Sequence, residues 1–177
     1  GYDAMVTVDG LQMDEQNALS TDPDDRVFSV QPGGVRSRGI EVEAKASLDF
    51  GLDLTLAYAF PEVRLTKDED GNKGNTPSAT PRHRASAWAD YTMPKGAFAD
   101  LGFGVGVRYT GESYGDDANS FKVPGYVLAD AAIHYDYEAL SFAINATNLF
   151  DKKYVAACVD GDSGCYYGER LQVIGTV

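Results

Sequence analysis

The stretch Leu101-Gly-Phe103-Gly-Val105-Gly-Val107-Arg-Tyr109 decides the fold class. Successive side chains of a β-strand point to opposite faces, so one face of this segment carries Leu, Phe, Val, Val and Tyr. The other face carries three glycines and one arginine. The segment therefore predicts a strand with one apolar face and one nearly bare face.

Similar segments recur along the chain at fairly even spacing and are separated by turn signals, which is typical of an antiparallel meander. The candidate strands are Tyr2 to Met13, Val35 to Asp49, Leu52 to Thr66, His83 to Met93, Ala99 to Gly111, Gly125 to Asp136, Leu140 to Phe150, and Arg170 to Val177. The fold is predicted to be all-β, with about eight antiparallel strands and almost no support for helices.

The face opposite the apolar one is charged in several strands. Between Ile40 and Leu48, apolar side chains alternate with Glu41, Glu43 and Lys45. A charged inner face beside an apolar outer face suits a membrane barrel with a polar lumen better than a packed core.

The connections between candidate strands alternate in length. The tight ones are Asp49 to Leu52, Met93 to Ala99 and Asp136 to Ala139, and the long ones are Asp14 to Gly34, Lys67 to Arg82, Glu112 to Pro124 and Ala156 to Glu169. Outer-membrane barrels have this asymmetry, with short periplasmic turns and long extracellular loops. The pattern favours a membrane barrel and leaves a soluble sandwich or small lipocalin-like barrel as the alternative.

Composition agrees with many short strands and wide turns. The 177 residues include 19 Gly, 11 Tyr and 8 Phe, and no run of 18 apolar residues exists that could form a transmembrane helix. The net charge of −12 argues against nucleic-acid binding, which needs a basic face. The acids cluster in predicted loops, at Asp14-Glu15, Asp22 to Asp25, Asp68 to Asp70, Asp116-Asp117 and Asp160 to Asp162, where we expect a solvated rim.

Cys158 and Cys165 are the only cysteines and lie close together in a Gly- and Asp-rich segment, so an oxidising compartment would join them in a disulfide. A zinc site would need further Cys or His ligands, and neither His83 nor His134 is nearby in sequence. No metal site is expected. No nucleophile stands with a base in a catalytic arrangement, so an enzyme is not predicted.

Aromatic residues are divided between loops and strands. Tyr114, Phe121, Tyr166 and Tyr167 lie in predicted loops and could line the mouth of a ligand site, because aromatic faces give rigid apolar contact with a polar tip. The tyrosines expected in the interfacial belts of a barrel are Tyr58, Tyr91, Tyr109, Tyr126, Tyr135 and Tyr154.

Several ordered blocks resemble the ferrichrome-type receptors among the TonB-dependent outer-membrane receptors. The blocks are Val35-Arg-Ser-Arg-Gly39-Ile-Glu41, Lys73-Gly-Asn-Thr-Pro77, Ser86-Ala-Trp88-Ala-Asp90-Tyr91, Arg108-Tyr-Thr-Gly111, Ser113-Tyr-Gly115, Asn119-Ser-Phe-Lys-Val123-Pro-Gly-Tyr126 and Asn148-Leu-Phe-Asp-Lys-Lys-Tyr154. Any one block is weak evidence for the resemblance, but the occurrence of all of them in family order over most of the chain is specific.

The resemblance implies the last eight strands of a 22-stranded transmembrane barrel in the outer membrane of a Gram-negative bacterium. Such a receptor binds an iron(III)-siderophore, here of hydroxamate type, and imports it when the TonB complex acts on a plug domain that is absent from residues 1–177. Iron is then cargo, and no cofactor is expected. The resemblance places the Cys158–Cys165 loop outside the cell with Tyr166 and Tyr167 beside it. Val159 stands where the family can place a ligand-contacting aromatic.

Two rival interpretations remain open at the level of sequence. A self-contained eight-stranded outer-membrane protein in adhesion or envelope structure would pair Tyr2 to Met13 with Arg170 to Val177. A soluble ligand-binding β-protein would be monomeric without detergent. The lack of a signal-like start and of a terminal aromatic leads us to expect a piece of a longer protein rather than either.

Overall fold

The computed structural model of the chain describes residues 1–21, 29–68, 70–159 and 164–177, and for residues 17–21 and 29–32 it describes the backbone alone. The strands of the main sheet are β1 (Tyr2–Thr21), β2 (Ser29–Leu48), β3 (Leu52–Lys67), β4 (Arg84–Thr92), β5 (Leu101–Thr110), β8 (Tyr126–Tyr137), β9 (Leu140–Thr147) and β12 (Gln172–Thr176). Two small sheets lie in the loops and pair β6 (Ser113–Tyr114) with β7 (Lys122–Val123), and β10 (Val155–Cys158) with β11 (Cys165–Tyr167). Within the described residues the chain is therefore all-β, as predicted.

The main sheet is an open antiparallel meander. Its eight strands follow one another in chain order, β1-β2-β3-β4-β5-β8-β9-β12, and each pairs with its neighbours in antiparallel register. Strands β1 and β12 lie at opposite edges and do not pair with each other within the described residues. The pairing that a self-contained eight-stranded barrel requires is thus not formed in this structure.

The predicted long loop from Asp14 to Gly34 is wrong over most of its length. The β1–β2 register continues past Met13 through Asp14 opposite Arg36 and Gln16 opposite Gly34, and strand β1 ends only at Thr21. The extension begins with Asp14, Glu15 and Gln16, which put polar residues on both faces of the strand, so the apolar alternation that marks the rest of β1 stops there. The acidic residues Asp22, Asp24, Asp25, Glu69, Asp160 and Asp162 lie outside the described residues.

The other strand ends differ from the predictions by a few residues. Strand β9 stops at Thr147 instead of Phe150, because Asn148 adopts a left-handed backbone with φ of 51°. From β2 onwards the alternation of short and long connections is confirmed: residues 49–51, 93–100 and 138–139 form short turns at one end of the sheet, and the other end carries the described residues of the segments 68–83, 111–125 and 148–171. We call these the turn end and the loop end.

The apolar face of the sheet is exposed from edge to edge. Val8 on β1, Leu56 on β3 and Val105 on β5 expose 66%, 53% and 60% of their surface. Among the residues whose side chains are described, the buried hydrophobic ones are Leu65, Val123, Leu128 and Cys158. So large an apolar face fits contact with lipid rather than with water.

The polar face is not bare where the glycines of β5 lie. A Cβ atom at Gly104 or Gly106 would come within 2.3 Å of the Trp88 ring, and one at Gly102 within 2.0 Å of the His134 ring. Trp88 and His134 therefore cover the glycine stripe from the two neighbouring strands, and His134 Nε2 lies 2.9 Å from Asp90 Oδ1. The absence of side chains on this face of β5 makes room for large ones beside it.

Candidate functional site

The loop end collects three long segments with described structure, and the first two are joined to each other. Asn119 in the β5–β8 loop accepts a hydrogen bond from the backbone N–H of Thr76 at 3.1 Å and donates one from Nδ2 to the Thr76 carbonyl at 2.7 Å. The backbone N–H of Ser78 donates to Asp117 Oδ1 at 2.7 Å. Thr76 is 3% exposed, so this junction is buried. The two loops form one body.

Tyr114 and Phe121 lie together in the small β6–β7 sheet. Tyr114 pairs with Lys122, whose Nζ lies 5.8 Å from the centre of the Tyr114 ring. Phe121 lies over Gly115, where an added Cβ would come within 2.0 Å of the Phe121 ring. Both aromatic rings are half-buried. An ion pair and hydrogen bond with Glu112 raises the pKa of Lys122, which keeps a fixed positive charge beside Tyr114.

The predicted disulfide is present and closes the tip of the third loop. Cys158 and Cys165 are bonded at the end of the β10–β11 hairpin, and the backbone N–H of Val159 donates to the Gly164 carbonyl at 3.1 Å. The exposed fractions of Val159, Tyr166 and Tyr167 are 47%, 61% and 82%. These three side chains are exposed at the tip of the hairpin, outside the main sheet.

The base of the same loop is closed by Asn148. Its Nδ2 donates to the carbonyls of Lys152 and Glu169, both at 2.9 Å, and its Oδ1 accepts from the Lys152 N–H at 2.8 Å. Its own backbone N–H donates to Asp130 Oδ1 at 2.9 Å. Asn148 is 3% exposed. The buried side chain of Asn148 therefore joins the two ends of the loop, and its backbone N–H ties the loop to strand β8.

The base of the third loop is also closed by a contact between Asp151 and Arg170. Asp151 accepts hydrogen bonds from Arg170 Nε at 2.6 Å and from the Leu171 N–H at 3.1 Å, and it forms an ion pair with the Arg170 guanidinium. The Arg170 hydrogen bond, followed by that of Leu171, lowers the pKa of Asp151 to about 2. In the sequence, the Asn148-to-Tyr154 block stands out only through the family resemblance. The sequence signal for its role is an Asn and an Asp three residues apart, since these residue types tolerate the positive φ that both adopt in the structure.

Two of the expected belt tyrosines lie elsewhere. Tyr126 is in phase with Asp130 and His134 on the polar face, and its ring centre is 4.2 Å from that of Tyr154. Tyr154 also lies over Gly168, where an added Cβ would be 1.9 Å from its ring. The prediction of a lipid-facing belt is therefore wrong for this pair, because Tyr126 lies on the polar face and Tyr154 packs against it and against Gly168 of the third loop.

The five residues suggested as a ligand site fall into two groups. Tyr114 and Phe121 lie on the β6–β7 sheet, and Val159, Tyr166 and Tyr167 lie on the β10–β11 hairpin. The two groups belong to one loop cluster, since strand β7 lies against strand β10. No group of three or more His, Cys, Asp and Glu side chains among the described residues is placed to hold a metal ion.

The model of the family "TonB dependent receptor-like, beta-barrel" matches residues 2–149. The chain belongs to this family. The Ferrichrome outer membrane transporter/phage receptor of Escherichia coli K12 is 42% identical over 97% of this chain and 23% of the relative. The Ferrioxamine receptor of Yersinia enterocolitica is 36% identical over 92% of this chain and 23% of the relative.

Solved structures agree on the fold. The ferric preacinetobactin receptor BauA from Acinetobacter baumannii matches with a TM-score of 0.75 over 97% of this chain and 26% of that chain, at 23% identity. The chain spans about a quarter of the length of the curated relatives it matches.

Family membership confirms two predictions. As a TonB-dependent receptor barrel, the chain is located in the outer membrane of a Gram-negative bacterium. Its relatives are transport receptors rather than enzymes, so the chain is not an enzyme. No helix among the described residues is long and apolar enough to cross a membrane.

Proposed function

We propose that this chain forms part of the barrel wall and outer loops of a longer receptor that takes up iron(III)-siderophores of hydroxamate type. The observation that carries the proposal is the 42% identity to a ferrichrome transporter over nearly the whole chain. The second relative is a ferrioxamine receptor, and ferrichrome and ferrioxamine share hydroxamate chemistry. Iron would arrive already chelated, so the protein would supply apolar and hydrogen-bonding contacts rather than metal ligands.

The ligand contacts are proposed to come from the loop cluster. Tyr166, Tyr167 and Val159 are exposed on a hairpin fixed at its tip by a disulfide and at its base by Asn148, which is the kind of preorganised surface that lowers the cost of binding. Tyr114 and Phe121 would extend this surface across strand β7. The partners of the whole protein are proposed to be outer-membrane lipid on the apolar face and the TonB complex, through a plug domain outside residues 1–177.

The ligand surface is tested by binding to the full receptor in detergent. Ferric ferrichrome and ferric ferrioxamine B are titrated against wild-type protein and the variant Y166A/Y167A, with tryptophan and tyrosine fluorescence as the readout. Loss of two stacking side chains from a ligand mouth is expected to weaken binding by about tenfold or more. The matched control is Y137F, an exposed tyrosine at the turn end. Equal affinity of wild-type and Y166A/Y167A protein would remove these residues from the site.

A further inference from the structure

We propose that the outward face of the sheet, at the loop end, binds the phosphate-bearing headgroup of a lipid in a groove beside Arg38. The site concerns the lipid-facing side of the sheet rather than the loop cluster. It goes beyond siderophore uptake, and it depends only on the outer-membrane location.

The position of the groove follows from strand register. Ile40 on β2 pairs with Phe60 on β3, and both belong to the outward apolar face. Two residues closer to the loop end, Arg38 pairs with Glu62, and side chains two apart on a strand share a face. Arg38 therefore lies on the lipid side immediately above the apolar band, at the depth where lipid headgroups begin.

Aromatic side chains lie at the upper edge of the apolar band, next to Arg38. The His83 ring centre lies 4.9 Å from that of Phe60, and His83 Nδ1 lies 2.9 Å from the Tyr58 hydroxyl. Amphipathic rings concentrate at the level of the headgroups in membrane proteins. The arginine thus lies just outside an interfacial belt.

Positive charge exceeds negative charge in this patch. Its four guanidinium groups, which belong to Arg36, Arg38, Arg64 and Arg82, meet two carboxylates, of Asp14 and Glu62. The patch is therefore net positive by two, in a chain with a net charge of −12. Such a local excess in an acidic protein is complementary to an anionic ligand.

The internal ion pairs leave Arg38 available. Arg36 Nε lies 2.5 Å from Asp14 Oδ1, and Arg64 Nη2 lies 3.0 Å from Glu62 Oε1. Arg82 reaches the same Glu62 oxygen only at 3.8 Å, a loose contact. Among the contacts described for the patch, Arg38 has neither an ion pair nor a hydrogen bond, and its charge acts on Asp14 only at longer range. A planar guanidinium of this kind matches phosphate oxygens in bidentate geometry.

The groove itself has both an apolar floor and a charged rim. It has a volume of about 490 Å³, and its lining includes Gly10, Gln12, Arg38, Ile40, Phe60 and Glu62. Gly10 leaves it open on the β1 side, since an added Cβ there would meet no atom within 4 Å. Free inorganic phosphate would use the rim alone. A lipid uses both parts, with its acyl chain over Ile40 and Phe60 and its phosphate at Arg38.

The test uses the full receptor in detergent and native mass spectrometry with lipid A, a glycolipid carrying two phosphates. Wild-type protein is expected to bind lipid A, and the variant R38Q/R82Q to bind it about tenfold more weakly, since charge-assisted hydrogen bonds are lost. Arg84→Gln is the matched control, because Arg84 is exposed but lies on the polar face, opposite Thr110. For dephosphorylated lipid A, the affinities of R38Q/R82Q and of wild type are expected to be equal.

Three results would overturn the proposal. They are equal lipid A affinity in wild type and R38Q/R82Q, an equal loss of affinity in R84Q, or displacement of lipid A by millimolar inorganic phosphate. Heat-modifiable migration on a denaturing gel verifies that each variant is folded. Ferric ferrichrome binding is measured on the same samples, so failure of the uptake proposal would be seen separately from failure of the lipid site.

Discussion

Asn148 is the residue on which the third loop depends most directly. Its side chain makes three hydrogen bonds to backbone groups on both sides of the loop, and its backbone N–H reaches Asp130, which also forms an ion pair with Arg108 at 2.5 Å. A left-handed φ is tolerated better by Asn than by most residues. The same residue thus ends strand β9 and starts the loop.

Replacing Asn148 by Ala is expected to destabilise the loop by about 2–4 kcal/mol, because buried backbone partners would lose their hydrogen bonds. The measurement is hydrogen exchange at Lys152 together with urea unfolding of the full receptor. Asn145→Ala is the control, since Asn145 is exposed within strand β9. Similar exchange at Lys152 in both variants would contradict the role given to Asn148.

The Asp151–Arg170 pair predicts a pH dependence of stability. The pKa of Asp151 is lowered from 3.8 to about 2 in the folded chain, so its contribution is fully present above the unfolded value and is lost as the pH falls towards 2. The difference in unfolding free energy between wild type and Asp151→Asn is expected to be constant above pH 5, to shrink as the pH falls below the unfolded pKa of 3.8, and to disappear only below the folded pKa of about 2. Unfolding curves at a series of pH values check this, and a difference that grows on acidification would refute it.

Residue roles were only partly predictable from sequence. The faces of Leu101 to Tyr109 follow directly from alternation, and the structure confirms them. The packing of Trp88 over Gly104 and Gly106 could not be predicted from alternation. It depends on the register between β4 and β5, which decides which side chains meet across the two strands. The role of Asn148 was missed for a similar reason: its partners include Glu169, distant in sequence.

At the scale of elements, the three long loops at the loop end contact one another rather than projecting separately from the sheet. The first two long loops share a buried junction at Thr76 and Asn119, and strand β7 of the second loop lies against the disulfide hairpin of the third. Sequence could locate these loops by their turn residues. It could not predict the small sheets β6–β7 and β10–β11, whose strands of two to four residues are too short to carry an alternation signal.

Asn119→Ala is expected to separate the first two loops without affecting the main sheet. Loss of the two hydrogen bonds to Thr76 should speed hydrogen exchange at Thr76 by about tenfold or more, whereas exchange in strand β5 should not change. Asn72→Ala in the same loop is the control. If Thr76 exchanges at the wild-type rate in Asn119→Ala, the junction does not hold the loops together.

At the scale of the whole molecule, the sheet has a lipid face and a lumen face, and neighbouring positions on one strand tell them apart. Leu56 points outward at 53% exposure, while Ala57 lies on the polar face and pairs with Glu43. Leu56→Lys is expected to cost about 2–4 kcal/mol in unfolding of the full receptor from lipid vesicles, and Ala57→Lys much less. Equal costs would mean that the faces are wrongly assigned.

The overall architecture was the most predictable part of the protein. Strand alternation, together with the contrast between short turns and long loops, is enough to indicate a membrane barrel from the amino-acid sequence. The β1–β2 extension was not predictable, because beyond the apolar band both faces of a strand meet polar surroundings and periodicity disappears. The contact of Tyr166 and Tyr167 with the siderophore stays a prediction.

The central claim is that the protein imports iron bound to a hydroxamate siderophore. The most direct measurement is uptake of ⁵⁵Fe-ferrichrome and ⁵⁵Fe-ferrioxamine B by cells that produce the full receptor and lack other receptors for these compounds, with and without functional TonB. We expect the cells to accumulate at least one of the two compounds, and the accumulation to require both the receptor and TonB. Uptake of neither above the receptor-free background, in cells with verified receptor in the outer membrane, would contradict it.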